Sequence, residues 1–306
     1  MNVTFRQLRL FLALAETGSV SGAARAMHVT QPTASMQLRE VREAVGLPLY
    51  EVVARRVHLT EAGVELARTA RLMAAEWEAL GQRIDALKGL TRGRLKVAVV
   101  STAKYFIPRL LGRFCNQHPD IDISLEVLNR DGVVGRLREN LDDLYVMSRP
   151  PTDVELQDEV FLPNPLVLIA SKSHPLARQR GLTLPALRGT RFILREQGSG
   201  TRLATDEHLR KQRFTPDLRL ELGSNEAVRE AVAGDLGVAV ISVHALAERP
   251  ASQGVAILDV QGFPIQSQWH IVYPKGKRLS PIAQVFREHL VAQAGQWAQK
   301  PRSVTG

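Results

Sequence analysis

The sequence predicts an α/β chain in which a small helical module with a hairpin tip precedes a long helix and a two-lobed α/β region. Three observations carry this expectation. Residues 19–60 hold two short capped helices separated by a tight turn, and residues 66–87 repeat apolar side chains at alternating steps of four and three. Beyond residue 93, strand and helix patterns alternate almost to the C-terminus.

Phe5, Leu8, Leu12 and Ala15 mark one face of a first helix, with Gly18 near its end. Ser21 is the expected cap of a second, short helix, whose Ala23, Ala24 and Ala26, with Met27, let a neighbour approach closely. His28 and Val29 form the turn. Thr30 caps a third helix, and Pro32 sits in its first turn, where the missing N–H leaves no internal bond unmade. Along that helix Ala34, Leu38 and Val41 face a core, while Gln31, Thr33, Ser35, Met36, Gln37 and Arg39 are left outward. Amides can pair bidentately with an adenine edge, hydroxyls can reach bases or phosphates, and a helix N-terminus favours phosphate oxygens. Leu49 to Thr60 predicts a hairpin with Arg55 and Arg56 near its tip.

Residues 1–60 therefore read as a DNA-binding helix-turn-helix with a basic wing. Its candidate contacts are Ser21, Thr30, Gln31, Pro32, Thr33, Ser35, Met36, Gln37, Arg39, Arg55 and Arg56. The alternative is a generic three-helix protein-interaction module. Agreement among cap, turn, polar outer face and basic hairpin favours the DNA reading.

The net charge of +9 and the pI near 10.1 favour an anionic partner. The first sixty residues hold seven Lys and Arg against four acids, so the excess is spread along the chain and leaves room for a second anion-binding place. One cysteine, Cys115, excludes an internal disulfide and agrees with a reducing cytoplasm; it reads as a packed small residue. No His or Cys pair has metal-ligand spacing. The N-terminus lacks the apolar core of a signal peptide, and no stretch approaches a membrane span, so a cytoplasmic location is expected.

From Leu66 through Ala70, Met73, Trp77, Leu80 and Ile84 to Leu87 the apolar stripe spans three heptads, with charged residues on the outer positions. Residues 61–90 are thus expected to be a dimerising linker helix, against the alternative of a helix packed on its own domain. A dimer would present two winged helices to two half-sites of a palindrome.

After the composition break at Gly89 to Gly93, strands are expected at Leu95 to Val100, Ile121 to Leu128 and Leu144 to Met147, with helices near Ile107 to Gln117 and Val133 to Asn140. A second series has strands at Leu166 to Ala170, Phe192 to Leu194, Leu218 to Leu222 and Gly237 to Ile241, and helices near Arg202 to Gln212 and Glu226 to Ala233. A strand at Trp269 to Tyr273 and a helix from about Ile282 to Trp297 are available to return to the first lobe. Ligands of open α/β sheets bind beyond the carboxyl ends of strands. The candidate anion loops are accordingly Ser101, Thr102 and Lys104; Asn129, Arg130 and Asp131; Arg195, Gln197, Gly198, Ser199, Gly200, Thr201 and Arg202; and Ser224 with Asn225. Each of these loops also has a plain reading as a helix cap or solvated turn.

The N-terminal run resembles that of LysR-type transcriptional regulators. The shared pattern is Thr30-Gln31-Pro32-Thr33-Ala34-Ser35, then Leu49-Tyr50, Arg55, Leu59-Thr60 and Ala62-Gly63. Met36 and Val52 stand where many members of that family have arginine. The resemblance implies homodimers through the linker helix, often tetramers, and a two-lobed, periplasmic-binding-protein-like (type 2) effector domain crossed twice by the chain. The expected domains are residues 1–60, 61–90 and 94–303, with lobe I at about 94–163 and 268–303 and lobe II at about 164–267.

The words STAKYFIPRL, LEVLNRDGVV, LDDLYVMSRPP and REQGSGTR, with Met36-Gln37-Leu38, resemble the branch that controls carbon-dioxide fixation operons, those of ribulose bisphosphate carboxylase (RuBisCO). That likeness implies no bound cofactor but an anionic effector, either a phosphorylated Calvin-cycle metabolite or NADPH. Duplex DNA, a second copy of the chain and RNA polymerase are the candidate partners. Two alternatives remain at this point: a LysR-type regulator of another metabolic operon with a different small anionic inducer, and, more distantly, a cytosolic metabolite-binding enzyme. The Gly-Ser-Gly-Thr loop lacks a Walker lysine and no nucleophile-base set is visible, which disfavours catalysis. A solute-binding protein for transport would not carry a winged helix.

Overall fold

Three capped helices open the chain: α1 (Phe5–Thr17), α2 (Val20–Ala26) and α3 (Gln31–Val45). The computed structural model of the chain describes residues 2–54, 56–87 and 93–298. Thr4 and Gln7 form a reciprocal capping box on α1, and Thr30 accepts from the Thr33 N–H to cap α3. The cap of α2 is Ser19 rather than the expected Ser21. Gly18 takes the left-handed conformation that ends α1, so Ser19 is the first extended residue and its hydroxyl meets the Gly22 N–H; Ser21 falls two residues later, already within the first turn.

Leu10, Phe11, Leu14, Ala23, Ala34, Leu38, Val41 and Leu49 build the N-terminal core. Each fully buried leucine or phenylalanine stabilises such a core by about 1.5–3 kcal/mol. The wing is the antiparallel pair β1 (Tyr50–Val53) and β2 (Arg56–Leu59), fastened where the Val57 N–H donates to the Gly18 carbonyl. Arg55, expected at its tip, lies outside the described residues.

Helix α4 (Glu61–Leu87) starts beneath the wing, where Thr60 Oγ1 accepts from the Gly63 N–H and donates to the Pro48 carbonyl. Its first half packs inward, with Ala67 and Ala70 in the N-terminal core and Leu66 against it. Of the expected seam, Ala70 is therefore taken up by the helix's own module, and Leu66 in part. Met73, Trp77, Leu80 and Ile84 are exposed, joined by Leu72, and the Trp77 ring touches only the edge of the module through Phe5 at 5.7 Å between centroids. The Leu87 side chain and residues 88–92 lie outside the described residues.

The C-terminal unit contains a five-stranded sheet of order β4-β3-β5-β12-β6. Strands β3 (Gly93–Val100), β4 (Ile121–Leu128) and β5 (Leu144–Met147) run parallel, joined through helices α5 (Ile107–Gln117) and α6 (Arg130–Arg138). The chain then forms edge strand β6 (Leu156–Pro163), leaves, and returns as β12 (Gln268–Pro274) between β5 and β6. Helix α9 (Pro281–Ala298) closes this lobe, and Phe106, Phe114, Trp269 and Phe286 fill its core.

The intervening chain makes the second lobe from two small sheets. Strand β7 (Leu166–Ser171) is flanked by β10 (Ala239–Ser242) and β11 (Val255–Ile257), while β8 (Arg191–Arg195) pairs in parallel with β9 (Asp217–Leu222). Helices α7 (Gly200–Lys211) and α8 (Asn225–Ala233) follow β8 and β9 directly. Strands β6 and β11 are additions to the expected elements. Asp158 and Glu159 break the apolar alternation of β6, which an edge strand tolerates because one side faces water.

Gly63 sits where α4 passes the end of the β1 approach, and a Cβ placed there would overlap the Leu49 carbonyl oxygen. Gly63→Ala should therefore destabilise the N-terminal module by about 3 kcal/mol, because backbone cannot give way as a side-chain tip can. Calorimetry should show a lowered transition for that module and an unchanged one for the C-terminal unit. An unshifted N-terminal transition would mean that α4 can slide away from Leu49 freely.

Candidate DNA interface and effector cleft

The outward side of α3 is built by its inward one. Ala34, Leu38 and Val41 are fully buried, which fixes the rotation of the helix and leaves Gln31, Pro32, Ser35, Met36 and Arg39 exposed, with Thr33 and Gln37 partly so. At the helix start Thr30 and Thr33 hydroxyls lie 2.8 Å apart, and the Ser21 hydroxyl donates to Gln31 Oε1 at 3.1 Å. That bond uses one lone pair of the amide oxygen and steadies the side chain, leaving its second lone pair and its NH2 group for a base edge. Arg39 pairs only loosely with Glu43 at 3.7 Å, and Arg42, absent from the expected contacts, is exposed without an ion pair among the described residues. Between α3 and the wing lies a cleft of about 390 Å3 lined in part by Met36, Arg39, Arg42 and Tyr50. The spacing Arg39 to Arg42 continues the outward stripe by one turn, a signal the sequence did contain. Arg56 occupies the wing strand opposite Val53.

In the C-terminal unit the carboxyl ends of β3, β4 and β5 deliver Ser101, Asn129 and Ser148 to one edge of the sheet. Ser101, Thr102 and Lys104 lie in the 3-10 helix Ser101–Tyr105. Facing them from the second lobe are the ends of β8 and β9, which carry Arg195 and the start of α8. Arg195 is 3% exposed, and each of its three guanidinium nitrogens has a hydrogen-bond partner. Its guanidinium pairs with both carboxylate oxygens of Glu196 at 2.7 and 2.9 Å, donates to Asn225 Oδ1 at 2.7 Å, and reaches Ser101 Oγ in the other lobe at 3.3 Å. Asn225 in turn donates to Thr102 Oγ1 at 3.0 Å, both groups being buried. Beside this chain, Lys104 pairs across the lobes with Glu226 at 3.0 Å. Burial pushes the Glu226 carboxyl up, but the neighbouring Tyr105 hydroxyl and the Lys104 ammonium, which donates to it at 3.0 Å, outweigh that and hold the group below its ordinary range.

The Gly-Ser-Gly-Thr loop closes the other end of the junction. Gly198 has a φ of +81°, and a Cβ there would run into the Asp131 carboxylate of the first lobe. A Cβ on Gly200 would come within 3.0 Å of Ser148 Oγ. Ser199 and Thr201 are buried at the start of α7, whereas Gln197 is exposed with its N–H toward Glu221.

Arg149 ties the lobes again through Glu207 at 2.6 Å. Lys211 and Arg149 together hold the Glu207 carboxyl down to about 2. Arg202 is turned away into Asp206, Glu221 and the Arg195 carbonyl. Asn129 accepts from the Gly132 N–H and Ser224 from the Ala227 N–H, so both act as helix caps; Arg130 donates to the Arg149 carbonyl. Ser148 and Arg149 were missed from sequence, although their place after the third parallel strand marks them. Among the described residues no group of His, Cys, Asp and Glu could hold a metal ion, and no helix is long and apolar enough to cross a membrane.

Residues 5–64 match the model of the bacterial regulatory helix-turn-helix protein, lysR family, and residues 88–295 match that of the LysR substrate binding domain. The chain belongs to the LysR family. It is a DNA-binding transcriptional regulator of that type, with an effector-binding half, and its relatives are regulators rather than enzymes. The HTH-type transcriptional activator CmpR of Synechocystis sp. PCC 6803 is 42% identical over 95% of this chain and 96% of its own length. A RuBisCO operon transcriptional regulator of Acidithiobacillus ferrooxidans is also 42% identical, covering 98% and 97% of the two chains. Among solved structures, the regulatory domain of CcmR from Synechocystis PCC 6803 in complex with 2-PG is 45% identical, with a TM-score of 0.64 over 66% of this chain and 98% of that one.

With the LysR-type module established, the α3 geometry separates two kinds of contact. Gln31→Ala should cost about 1–3 kcal/mol on a specific site and little on random duplex, since a bidentate base contact exists only in the specific complex. Arg42→Ala should weaken both, and flatten the slope of log affinity against log salt by about one. Fluorescence anisotropy across a salt series reads both variants. Equal losses on both duplexes for Gln31→Ala would remove it from base reading.

Proposed function

We propose that the chain activates carbon-dioxide fixation genes in response to a phosphorylated metabolite bound between the two lobes of its C-terminal half. The observation that carries this reading is the 42% identity, across nearly the whole chain, to an activator and to a RuBisCO operon regulator. Likeness confined to the DNA module would leave the ligand open, because effector halves diverge on a shared scaffold. The CcmR regulatory domain, in complex with 2-PG, supports 2-phosphoglycolate as the first candidate; NADPH is the second, from the resemblance to carbon-dioxide fixation regulators alone. The junction suits a phosphate. Hydroxyls of Ser101, Thr102 and Ser148 lie on one side, and the backbone N–H groups that open α7 lie on the other.

In this reading residues 1–60 bind DNA, 61–90 form the dimerising helix, and 94–303 hold the effector, with lobe I formed by 94–163 and 268–303. A homodimer, and two dimers as a tetramer, would engage a palindromic promoter site and work on RNA polymerase from there.

Titration calorimetry with 2-phosphoglycolate and NADPH, beside footprinting on promoter DNA, tests the ligand. The protein should bind one of them and change its footprint, and Thr102→Ala should weaken that binding roughly tenfold by leaving Asn225 without its acceptor, with DNA affinity unchanged. A protein that bound neither compound, or a Thr102→Ala variant with undiminished ligand affinity, would contradict the assignment.

The exposed stripe Met73, Trp77, Leu80 and Ile84 supports the dimer. Trp77 is 65% exposed, so Trp77→Glu should leave the module folded while placing a carboxylate in the apolar seam. Sedimentation should then report smaller species together with weaker binding to a two-half-site duplex. A variant of unchanged mass would place the subunit contact elsewhere.

A further inference from the structure

We propose that Met36 reads the C5-methyl group of a thymine in the major groove, and so sets which base is preferred at one position of each half-site. This rests on the assignment of α3 as the DNA-reading helix. Met36 lies in the middle of the outward face of α3, four residues after Pro32 and three before Arg39, and it is 47% exposed. It belongs to no core cluster; the interior contacts of the helix are made by Ala34, Leu38 and Val41. About half of a long apolar side chain is thus left in water, on a face otherwise made of hydroxyl, amide and guanidinium groups.

The surroundings specify what can cover it. Arg39 and Arg42 line the same cleft as Met36, so the covering surface carries negative charge around an apolar spot. The floor of the major groove between two phosphate backbones has that character, and the thymine methyl is its one apolar group. A guanine at the same place would present two acceptors to the thioether and a cytosine a donor, each losing its water without a partner. Where an arginine would select guanine, this methionine selects against it and for a T·A pair. Its three rotatable bonds and polarisable sulfur let it settle on a methyl without the fixed fork geometry that an arginine needs.

Replacing deoxythymidine by deoxyuridine removes only that methyl and keeps every hydrogen-bonding group. The test uses the full-length protein and a duplex that it selects from a random-sequence pool, with each thymine of one half-site changed in turn. One such change should weaken binding about fourfold, the value of one buried methyl-sized group. The same change should have no effect in Met36→Ala, and should keep its effect in Met36→Leu, which preserves an apolar side chain of similar reach. Met36→Arg should move the preference at that position from thymine to guanine in a repeated selection.

If no thymine is sensitive, or if the sensitivity persists in Met36→Ala, the methyl contact is overturned while the DNA-reading helix stands. If the selection enriches no sequence at all, the assignment of α3 itself has failed. Because Met36 is exposed, neither Met36→Ala nor Met36→Leu should unfold the module, and an unchanged melting temperature confirms that the comparison is between folded proteins.

Discussion

The buried guanidinium of Arg195 is the constraint on which the C-terminal half depends. Removed from water, a charge of this kind costs several kcal/mol unless it is paired and hydrogen-bonded by partners. Here Glu196, Asn225 and Ser101 supply them, and Asn225 passes the chain on to Thr102. The end of β8, the start of α8 and the 3-10 helix of the first lobe must therefore arrive together. A site formed in this way is preorganised, because the side chains that face the junction are already held by bonds rather than free to rotate. It is also sensitive: a ligand that takes a hydrogen bond from Ser101 or Thr102 acts on the link that sets one lobe against the other. Only a ligand with different affinity for the two arrangements can shift between them.

The N-terminal half rests on a different principle. Among its described residues no charged side chain is buried; local caps and small residues organise it. Ser19, Thr30 and Thr60 each satisfy N–H groups at a helix start, and Ala23, Ala34 and Ala67 allow three helices to close on one another with little volume between them. Beyond polar bonds such as Ser21 to Gln31, the outward face of α3 packs into no core. Its composition is free to answer to DNA, which is why an exposed methionine there carries meaning while an exposed leucine on a random surface would not.

Much of this was legible in the sequence. Helix ends, the turn at His28 and the hairpin depend on neighbours a few residues away, so local pattern sufficed, and the one misplaced cap came from two serines two residues apart, either of which could cap. Strand β6 was hidden because Asp158 and Glu159 interrupt its apolar alternation, and their partners His270 and Arg287 lie more than a hundred residues away. The loops after the parallel strands were visible as candidates, since strand-then-helix order marks them. What could not be read was occupancy. Arg195 and Arg202 look alike as cations beside a glycine loop, yet Glu196 and Asn225 hold the first, while Asp206 and Glu221 hold the second. Such pairs depend on strand register and on residues far apart in the chain. The inward use of Ala70 was hidden for the same reason, since a heptad pattern does not say which module claims its first turn.

In the proposed site one anionic ligand bridges two loops from different lobes. Hydrogen exchange of the full-length protein, with and without 2-phosphoglycolate at saturating concentration, tests it most directly. Slower exchange is expected in both segments at once, Ser101 to Tyr105 and Gly198 to Arg202, with little change in α3. Protection confined to one of these segments, or appearing only outside them, would contradict a ligand shared between the lobes.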